Sequence, residues 1–224
     1  MTLNNNQIAL LAVIAGAIFL GSAPILFRVG EAGPSAIAFW RVVLSLPFAY
    51  IWMRLESKAL SNKENPQNTF SIISNLGLNR LTRVQLLTLT LAGLFWIGDL
   101  ISWHWSLSQT NIANSTFFAT SSPLFVTLIA WIFLGERYTR LFFFGGSLTI
   151  IGSFALISAT IYYGNGSLIG DGLGLITALC FGSYVLAVRM LRRHMGAGSI
   201  IFWTGAISAP GFLFASLISN ETLT

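Results

Sequence analysis

Long apolar runs separated by short polar loops make up most of the chain. A helix needs about 20 apolar residues to cross a hydrocarbon core of about 30 Å. Seven windows have that length: 7–29, 34–54, 84–107, 112–134, 140–161, 170–190 and 198–219. The pattern therefore predicts an all-α integral membrane protein with seven transmembrane helices in this sequence.

The composition agrees with a membrane setting. Hydrophobic residues make up 54% and charged residues 8% of the chain, and the mean hydropathy is +0.75, whereas soluble domains carry about 25% charged residues. The net charge of +5 comes from basic residues in short loops rather than on one wetted face, which argues against a nucleic-acid partner. Cys180 is the one cysteine and cannot form an internal disulfide.

The sequence gives no indication of an enzyme. Neither H-E-x-x-H nor G-x-S-x-G occurs, and there is no Cys and His cluster at metal-ligand spacing. Gly-rich phosphate loops are absent as well. We therefore predict no enzymatic activity, no cofactor and no bound metal.

The loops predict the orientation of the chain in the membrane. Ten of the twelve basic residues follow spans two, four and six, and positive loops are retained on the cytoplasmic side. The N-terminus is therefore predicted to be cytoplasmic. The long polar stretch, 55–83, becomes a cytoplasmic loop in this reading and is given no catalytic role.

The chain also contains an internal repeat. A shift of 161 residues aligns GSAPILFR (21–28) with GSYVLAVR (182–189). A shift of 163 aligns Phe39, Trp40 and Pro47 with Phe202, Trp203 and Pro210. Because the first repeat would contain an odd number of spans, the second begins from the opposite face of the membrane. Inverted repeats of this kind are typical of secondary transporters.

Several stretches resemble the EamA-type branch of the drug/metabolite transporter superfamily: GSAPILFR, PSAIAFWR, ANSTFFATSSPLFVTLIAWIFLGER and GGSLTIIGSFALI. The resemblance implies a ten-helix bundle of two inverted five-helix repeats around a central cavity, in a membrane that we expect to be the bacterial inner membrane. Residues 1–161 would form the first repeat, and residues 170–224 would begin the second, which stops after two helices. We therefore expect the chain to be a fragment, a truncated gene product or an incompletely determined protein.

Two charged residues lie at matching depth inside predicted spans. An ionisable group there costs roughly 2.5 to 3.5 kcal/mol on insertion scales and normally has a partner. Arg41 and Asp99 are each about 10 to 13 Å below the outer surface by helix rise, so we predict an ion pair or a shared water network between them. A structural staple and a site for an ionised substrate or a proton both fit, and the sequence leaves them open.

Further candidates for the cavity wall come from helical spacing and helix breaks. Polar residues follow one face of span four, although such a stripe also serves as interhelical contact. Pro24 and Pro123 are predicted helix breaks, because proline has no N–H to donate. The predicted substrate-binding residues are Arg41, Asp99, Trp103, Asn114, Phe118, Ser121, Tyr184 and Trp203.

These features predict a secondary-active or facilitative transporter, an exporter or exchanger, that moves a small organic metabolite or drug-like compound by alternating access. The alternative is a channel-like or structural membrane subunit without carrier activity. The expected partners are a small-molecule substrate and the lipid bilayer. The resemblance also implies a homodimer contact at span five, where Gly145, Gly146, Gly152 and Ser153 are small; packing within one subunit explains these residues equally well.

Overall fold

The structure, a computed structural model, describes residues 5–29, 32–61, 81–135, 138–164 and 166–222. All the helices and strands assigned in those ranges are α-helices, which confirms the predicted all-α class. They are α1 Asn5–Val29, α2 Pro34–Ser61, α3 Arg83–Gln109, α4 Ile112–Thr120, α5 Ser122–Leu134, α6 Arg140–Tyr163, α7 Leu168–Leu191 and α8 Ala197–Ile218.

Six stretches of the described chain are long and apolar enough to cross a membrane: Pro34–Lys58, Arg83–Gln109, Ile112–Ile132, Arg140–Tyr162, Leu168–Leu191 and Ala197–Ile218. Six of the seven predicted spans are therefore found among the described residues, and the first span stays a prediction. The first predicted span is helix α1, but its apolar part is the shorter segment Val13–Ile25.

Helix α1 belongs to a compact unit of its own, Met1–Glu31, and Ala32–Thr224 forms a second unit. Helix α1 continues through Pro24 without interruption, in contrast to the predicted break. Proline removes one backbone hydrogen bond, and a long helix accommodates that loss by a kink rather than by ending. The candidate site lies wholly in the second unit.

Local sequence explains where the helices of the second unit begin and end. Thr82 and Gln85 form a reciprocal capping box at the start of α3, and the Asn111 side chain caps the start of α4. Gly135 and Gly164 end α5 and α6 with φ values of 67° and 63°. This left-handed conformation is strained for any residue with a Cβ, which explains glycine at both helix ends.

The fourth predicted span is one membrane crossing built from two helices. Helix α4 ends at Thr120 and α5 begins at Ser122, with Pro123 in its first turn. Proline is tolerated in that position because the first N–H groups of a helix have no partner within the helix. The Ser121 backbone N–H instead bonds to the carbonyl of Phe118.

Helix α2 extends beyond its predicted end at residue 54. It continues to Ser61, so the first part of the predicted loop 55–83 is helical. Leu, Glu, Lys and Ala dominate this extension and are good helix formers. The central part of that loop, 62–80, lies outside the described residues.

The second unit is built from antiparallel helix pairs. Near the end of α3, Ser106 donates a hydrogen bond to the carbonyl of Gly170 near the start of α7. At the other end of this pair, Leu89 packs with Leu191 in one buried cluster. Helices α2 and α8 are also antiparallel, because the start of α8 lies beside Glu56 near the end of α2. A second buried cluster, centred on Phe212, fills the space between α2, α3 and α8.

Helix α6 presents a wide apolar surface. Its exposed side chains include Leu141, Phe143, Phe144, Leu148, Ile150, Ile151, Phe154 and Ile161, and lipid tails are a suitable environment for such a surface. Two of its small residues pack against other helices of this chain. A Cβ on Gly146 would lie 3.3 Å from Leu124, and a Cβ on Gly152 would lie 3.2 Å from Phe117. Gly145 has open space beside it.

Candidate functional site

Asp99 is a buried carboxylate inside a membrane-spanning helix. It is 5% exposed and lies ten residues before the end of α3, about 15 Å along the helix axis at 1.5 Å per residue. Its side chain has neither a hydrogen-bond donor nor an ion-pair partner among the described residues. Polar groups at bilayer depth are expensive unless they are paired or face a ligand or water, so Asp99 marks a candidate binding site.

Helix α7 packs closely against the turn of α3 that carries Asp99. A Cβ on Gly98 would lie 2.8 Å from the Sγ atom of Cys180, so a larger residue at this crossing would force the Cys180 side chain to shift. The Thr177 hydroxyl lies 3.5 Å from the backbone carbonyl of Asp99. These two contacts hold the backbone at Gly98 and Asp99 close to α7.

Arg41 approaches the same region from α2. Its Cζ atom lies 5.4 Å from the centre of the Trp103 ring, a cation–π distance. In the described part of the chain Arg41 and Asp99 do not form a direct ion pair, which was one of the two predicted arrangements. The shared water network stays a prediction. The guanidinium rests on a ring one helical turn beyond Asp99, and the two charges interact through space.

Aromatic rings connect α3 to α7 next to Asp99. Trp96 and Tyr184 have ring centres 4.8 Å apart with planes tilted by 37°. Phe181 extends the group, with its ring centre 6.2 Å from that of Tyr184. These rings give the region an apolar wall beside the carboxylate, as an organic ligand would require.

Trp203 reaches the same part of the bundle from α8. It packs against the buried cluster that Tyr184 also contacts. Its Nε1 atom is buried and has no hydrogen-bond partner. A buried indole N–H usually has an acceptor, so the region contains an unpaired donor as well as an unpaired carboxylate.

A second cluster of polar side chains lies at the junction of α4, α6 and α7. Its central residue, Asp171, was not predicted from the sequence. Asp171 is 2% exposed. Its carboxylate accepts hydrogen bonds from the Thr110 hydroxyl at 2.7 Å, the Thr160 hydroxyl at 3.0 Å and the Asn114 amide at 3.2 and 3.3 Å. The available signal was an acid in the first turn of the predicted sixth span.

The remaining predicted residues belong to the neighbourhood of Asp171 or to the break in span four. Phe118 is fully buried, and a Cβ on Gly174 of α7 would lie 2.8 Å from its Cβ atom. The Ser121 hydroxyl donates to the carbonyl of Phe117 at 3.0 Å. The structure therefore divides the eight predicted residues into two groups. Arg41, Trp103 and Tyr184 lie close to Asp99, Trp203 packs against the buried cluster that Tyr184 also contacts, and Asn114, Phe118 and Ser121 lie along α4 and its end.

His104 does not offer a free side chain to either group of residues. It is 2% exposed, and its Nδ1–H donates to the carbonyl of Leu100 at 2.6 Å. No three His, Cys, Asp or Glu residues come together at metal-binding distance in the described part of the chain. The first site thus offers a carboxylate, a guanidinium, an indole N–H and aromatic faces, a set suited to an ionised organic molecule.

These features define a helical integral membrane protein with a polar site inside the bundle. Residues 7–158 match the EamA-like transporter family, and the chain belongs to that family.

Two relatives give the comparison more detail. The pseudopaline exporter CntI of Pseudomonas aeruginosa is 24% identical over 206 residues, covering 89% of this chain and 62% of that protein. Solute carrier family 35 member G1 of Mus musculus is 31% identical over 81 residues, covering 36% of this chain and 22% of that protein. The chain thus spans about 62% of the length of the exporter. No solved structure matches the chain.

Proposed function

We propose that this chain forms part of a secondary-active or facilitative transporter that exports or exchanges a small organic metabolite or drug-like compound by alternating access. The observation that carries the proposal is the unpaired Asp99 carboxylate inside a membrane-spanning helix. Membership of a transporter family supports it, as do relatives named as an exporter and a solute carrier. A buried acid without a partner is costly for stability alone, so binding is the better explanation.

The roles follow from the geometry. Arg41 and Asp99 set the preference for substrate charge, and Trp103, Tyr184 and Trp203 contact its apolar body, with the unpaired indole N–H of Trp203 as a donor. Asn114, Phe118 and Ser121 were predicted to bind substrate as well. We assign them instead to the wall behind the site, because the polar side-chain atoms of Asn114 and Ser121 are occupied within the chain and Phe118 is fully buried.

The wider architecture is also proposed rather than observed. We propose two inverted repeats of five helices, with the N-terminus in the cytoplasm of a bacterial cell. The antiparallel course of α2 and α8, which the repeat makes equivalent, supports the inversion. A homodimer contact through α6 stays part of the proposal.

The first test is a ligand screen on the purified full-length protein. A panel of amines, carboxylic acids, zwitterionic amino acids and pseudopaline is tested by thermal shift against wild type and Asp99→Asn. We expect at least one charged compound to raise the unfolding temperature of wild type and to have a clearly smaller effect on the variant.

A compound found in this way is then tested in proteoliposomes. A carrier should show uptake of labelled compound that is stimulated by unlabelled compound on the far side. Flux without this stimulation would support the channel alternative, and binding without flux would support a non-transporting subunit.

A further inference from the structure

Helices α2 and α8 are joined at both ends by a carboxylate that caps the start of the neighbouring helix. At one end, Glu56 near the end of α2 accepts hydrogen bonds from the backbone N–H groups of Ala197 at 3.1 Å and Gly198 at 2.8 Å. At the other end, Glu221 just after α8 accepts one from Ala36 at 2.8 Å. The first N–H groups of a helix lack partners and favour negative charge, so each contact is stabilising.

The two contacts occupy equivalent places in the predicted repeat. Gly33 precedes α2 and Gly196 precedes α8, and they are 163 positions apart, the shift that aligns Trp40 with Trp203. A Cβ on Gly33 would lie 2.5 Å from Glu221 side-chain atoms, and one on Gly196 would lie 2.5 Å from Glu56 Oε2. Each carboxylate therefore lies directly against a glycine, where a Cβ would force the glutamate side chain to shift.

The Glu56 contact is the more complete of the two. Arg192 lies 3.7 Å from Glu56 Oε1 and adds an ion pair. Glu221 Oε1 is buried without a partner. The difference has a cause in the sequence: Ala197 donates from the first position of α8, whereas the first position of α2 is Pro34, which has no N–H.

The contacts are separated by the length of a membrane crossing. Helix α8 has 22 residues, which is about 33 Å at 1.5 Å per residue. The hydrocarbon core is about 30 Å thick. One contact therefore belongs to each face of the membrane, and the candidate site around Asp99 lies between them.

We propose that Glu56 and Glu221 are latches that hold α2 against α8 at opposite faces of the membrane, and that access to the central site from a given face requires release of the latch at that face. This inference rests on the proposed transport function, in which the two faces open in turn. The Glu221 latch is the weaker one, because it has one N–H donor and an unpaired oxygen.

The test measures opening at each end with a buried cysteine reporter. Ser199 and Ser35 lie in the first turns of α8 and α2 and are 2% and 1% exposed. In a Cys180→Ala background, Ser199→Cys reports on the Glu56 end and Ser35→Cys on the Glu221 end. The rate of labelling by fluorescein maleimide is measured in detergent-solubilised full-length protein and divided by the rate in denaturant.

We expect Glu56→Gln to speed labelling of the Ser199→Cys reporter about tenfold, since a charged acceptor of two N–H groups is lost, and to leave the Ser35→Cys reporter unchanged or slower. Glu221→Gln should do the reverse with a smaller factor. Lys58→Gln removes a charge near the Glu56 end without touching the latch and should change neither rate.

Two backbone variants test the same latches without altering a carboxylate. Ala197→Pro removes one donor to Glu56 at a position where proline is tolerated, and should speed labelling of the Ser199→Cys reporter by less than Glu56→Gln does. Pro34→Ala supplies the N–H that Glu221 lacks, and should slow labelling of the Ser35→Cys reporter. These variants decide the question if a Gln variant fails to fold.

The latches are excluded if the variants speed both reporters equally, which would indicate general loosening, or if they change neither. No substrate is used in this readout, so its result is separate from the transport assay. End-specific release without counterflow would overturn the proposed function, and counterflow without end-specific release would overturn the latches alone.

Discussion

Two buried aspartates in the same helix bundle differ in what surrounds them. Asp171 is 2% exposed and accepts hydrogen bonds from Thr110, Asn114 and Thr160, which lie on or beside three other helices. Asp99 is 5% exposed and has no such partner in the described chain. A carboxylate whose acceptors are filled stabilises the fold, whereas one left open is available to a ligand. Burial alone does not separate these roles, but hydrogen bonding does.

The largest loss of stability is expected from Asp171→Ala. The substitution removes the Asp171 oxygens that accept hydrogen bonds from two hydroxyl groups and one amide inside the bundle, which costs about 3 to 5 kcal/mol for a broken buried network. The unfolding temperature in detergent should drop sharply, or the folded protein should be lost. Asp171→Asn keeps one acceptor oxygen and should lose less.

If Asp171→Ala left the unfolding temperature unchanged while abolishing ligand binding, the two aspartates would have to exchange roles. Asp99→Asn measured alongside it provides the matched control, because its side chain gives up no hydrogen bond.

A glycine precedes each aspartate, and the two glycines differ in what a Cβ at their position would contact. A Cβ on Gly170 would lie 2.9 Å from the backbone N of Thr110, whereas one on Gly98 would meet the Cys180 side chain at 2.8 Å. Backbone cannot move aside as a side chain can, so Gly170→Ala should cost about 2 to 3 kcal/mol and Gly98→Ala about 1 kcal/mol.

A double variant checks the cause. Cys180→Ala removes the atom that Gly98→Ala would strike, so the combined variant should recover most of the lost unfolding temperature. Equal losses in the single and double variants would show that the α3–α7 crossing is tight for another reason.

Periodicity and length predicted most of the fold, because the membrane requires about 20 apolar residues for each crossing. The predicted spans agree with helices α2 to α8 within a few residues, except at the end of α2, which continues for seven residues beyond residue 54. That extension carries Glu56, whose partner is supplied by α8 about 140 residues later. A contact of this kind is invisible to local sequence patterns.

The candidate site was predictable only in part. Asp99 and Arg41 stood out because charge is rare in apolar runs, and Trp103 lies one turn from Asp99. The pairing state of Asp99 could not be predicted, because it depends on where the Arg41 side chain lies relative to Trp103. Asn114 was recognised as polar, but its partner Asp171 was overlooked because it lies near a helix end, where acids are common.

Asp99→Asn should lower affinity for the charged compound found in the ligand screen about tenfold, or about 1.4 kcal/mol, without lowering the unfolding temperature of the unliganded protein. The carboxylate makes no hydrogen bond that the amide would lose, and its attraction to Arg41 acts only through space. Isothermal titration and unfolding curves on the same preparation separate the two effects. Loss of folded protein would instead show that Asp99, like Asp171, serves mainly to stabilise the fold.

The smallest change in ligand affinity is expected from Arg41→Lys. The Arg41 guanidinium lies over the Trp103 ring. Arg41→Lys keeps the charge near Asp99 but loses the planar contact, a change of about 0.5 to 1 kcal/mol, whereas Arg41→Ala removes both. If the charge matters for binding, Arg41→Lys should bind the compound nearly as wild type does and Arg41→Ala should not. If both variants lose the same affinity, Arg41 serves mainly to hold the Trp103 ring in place, and Asp99 is the charge that selects the substrate.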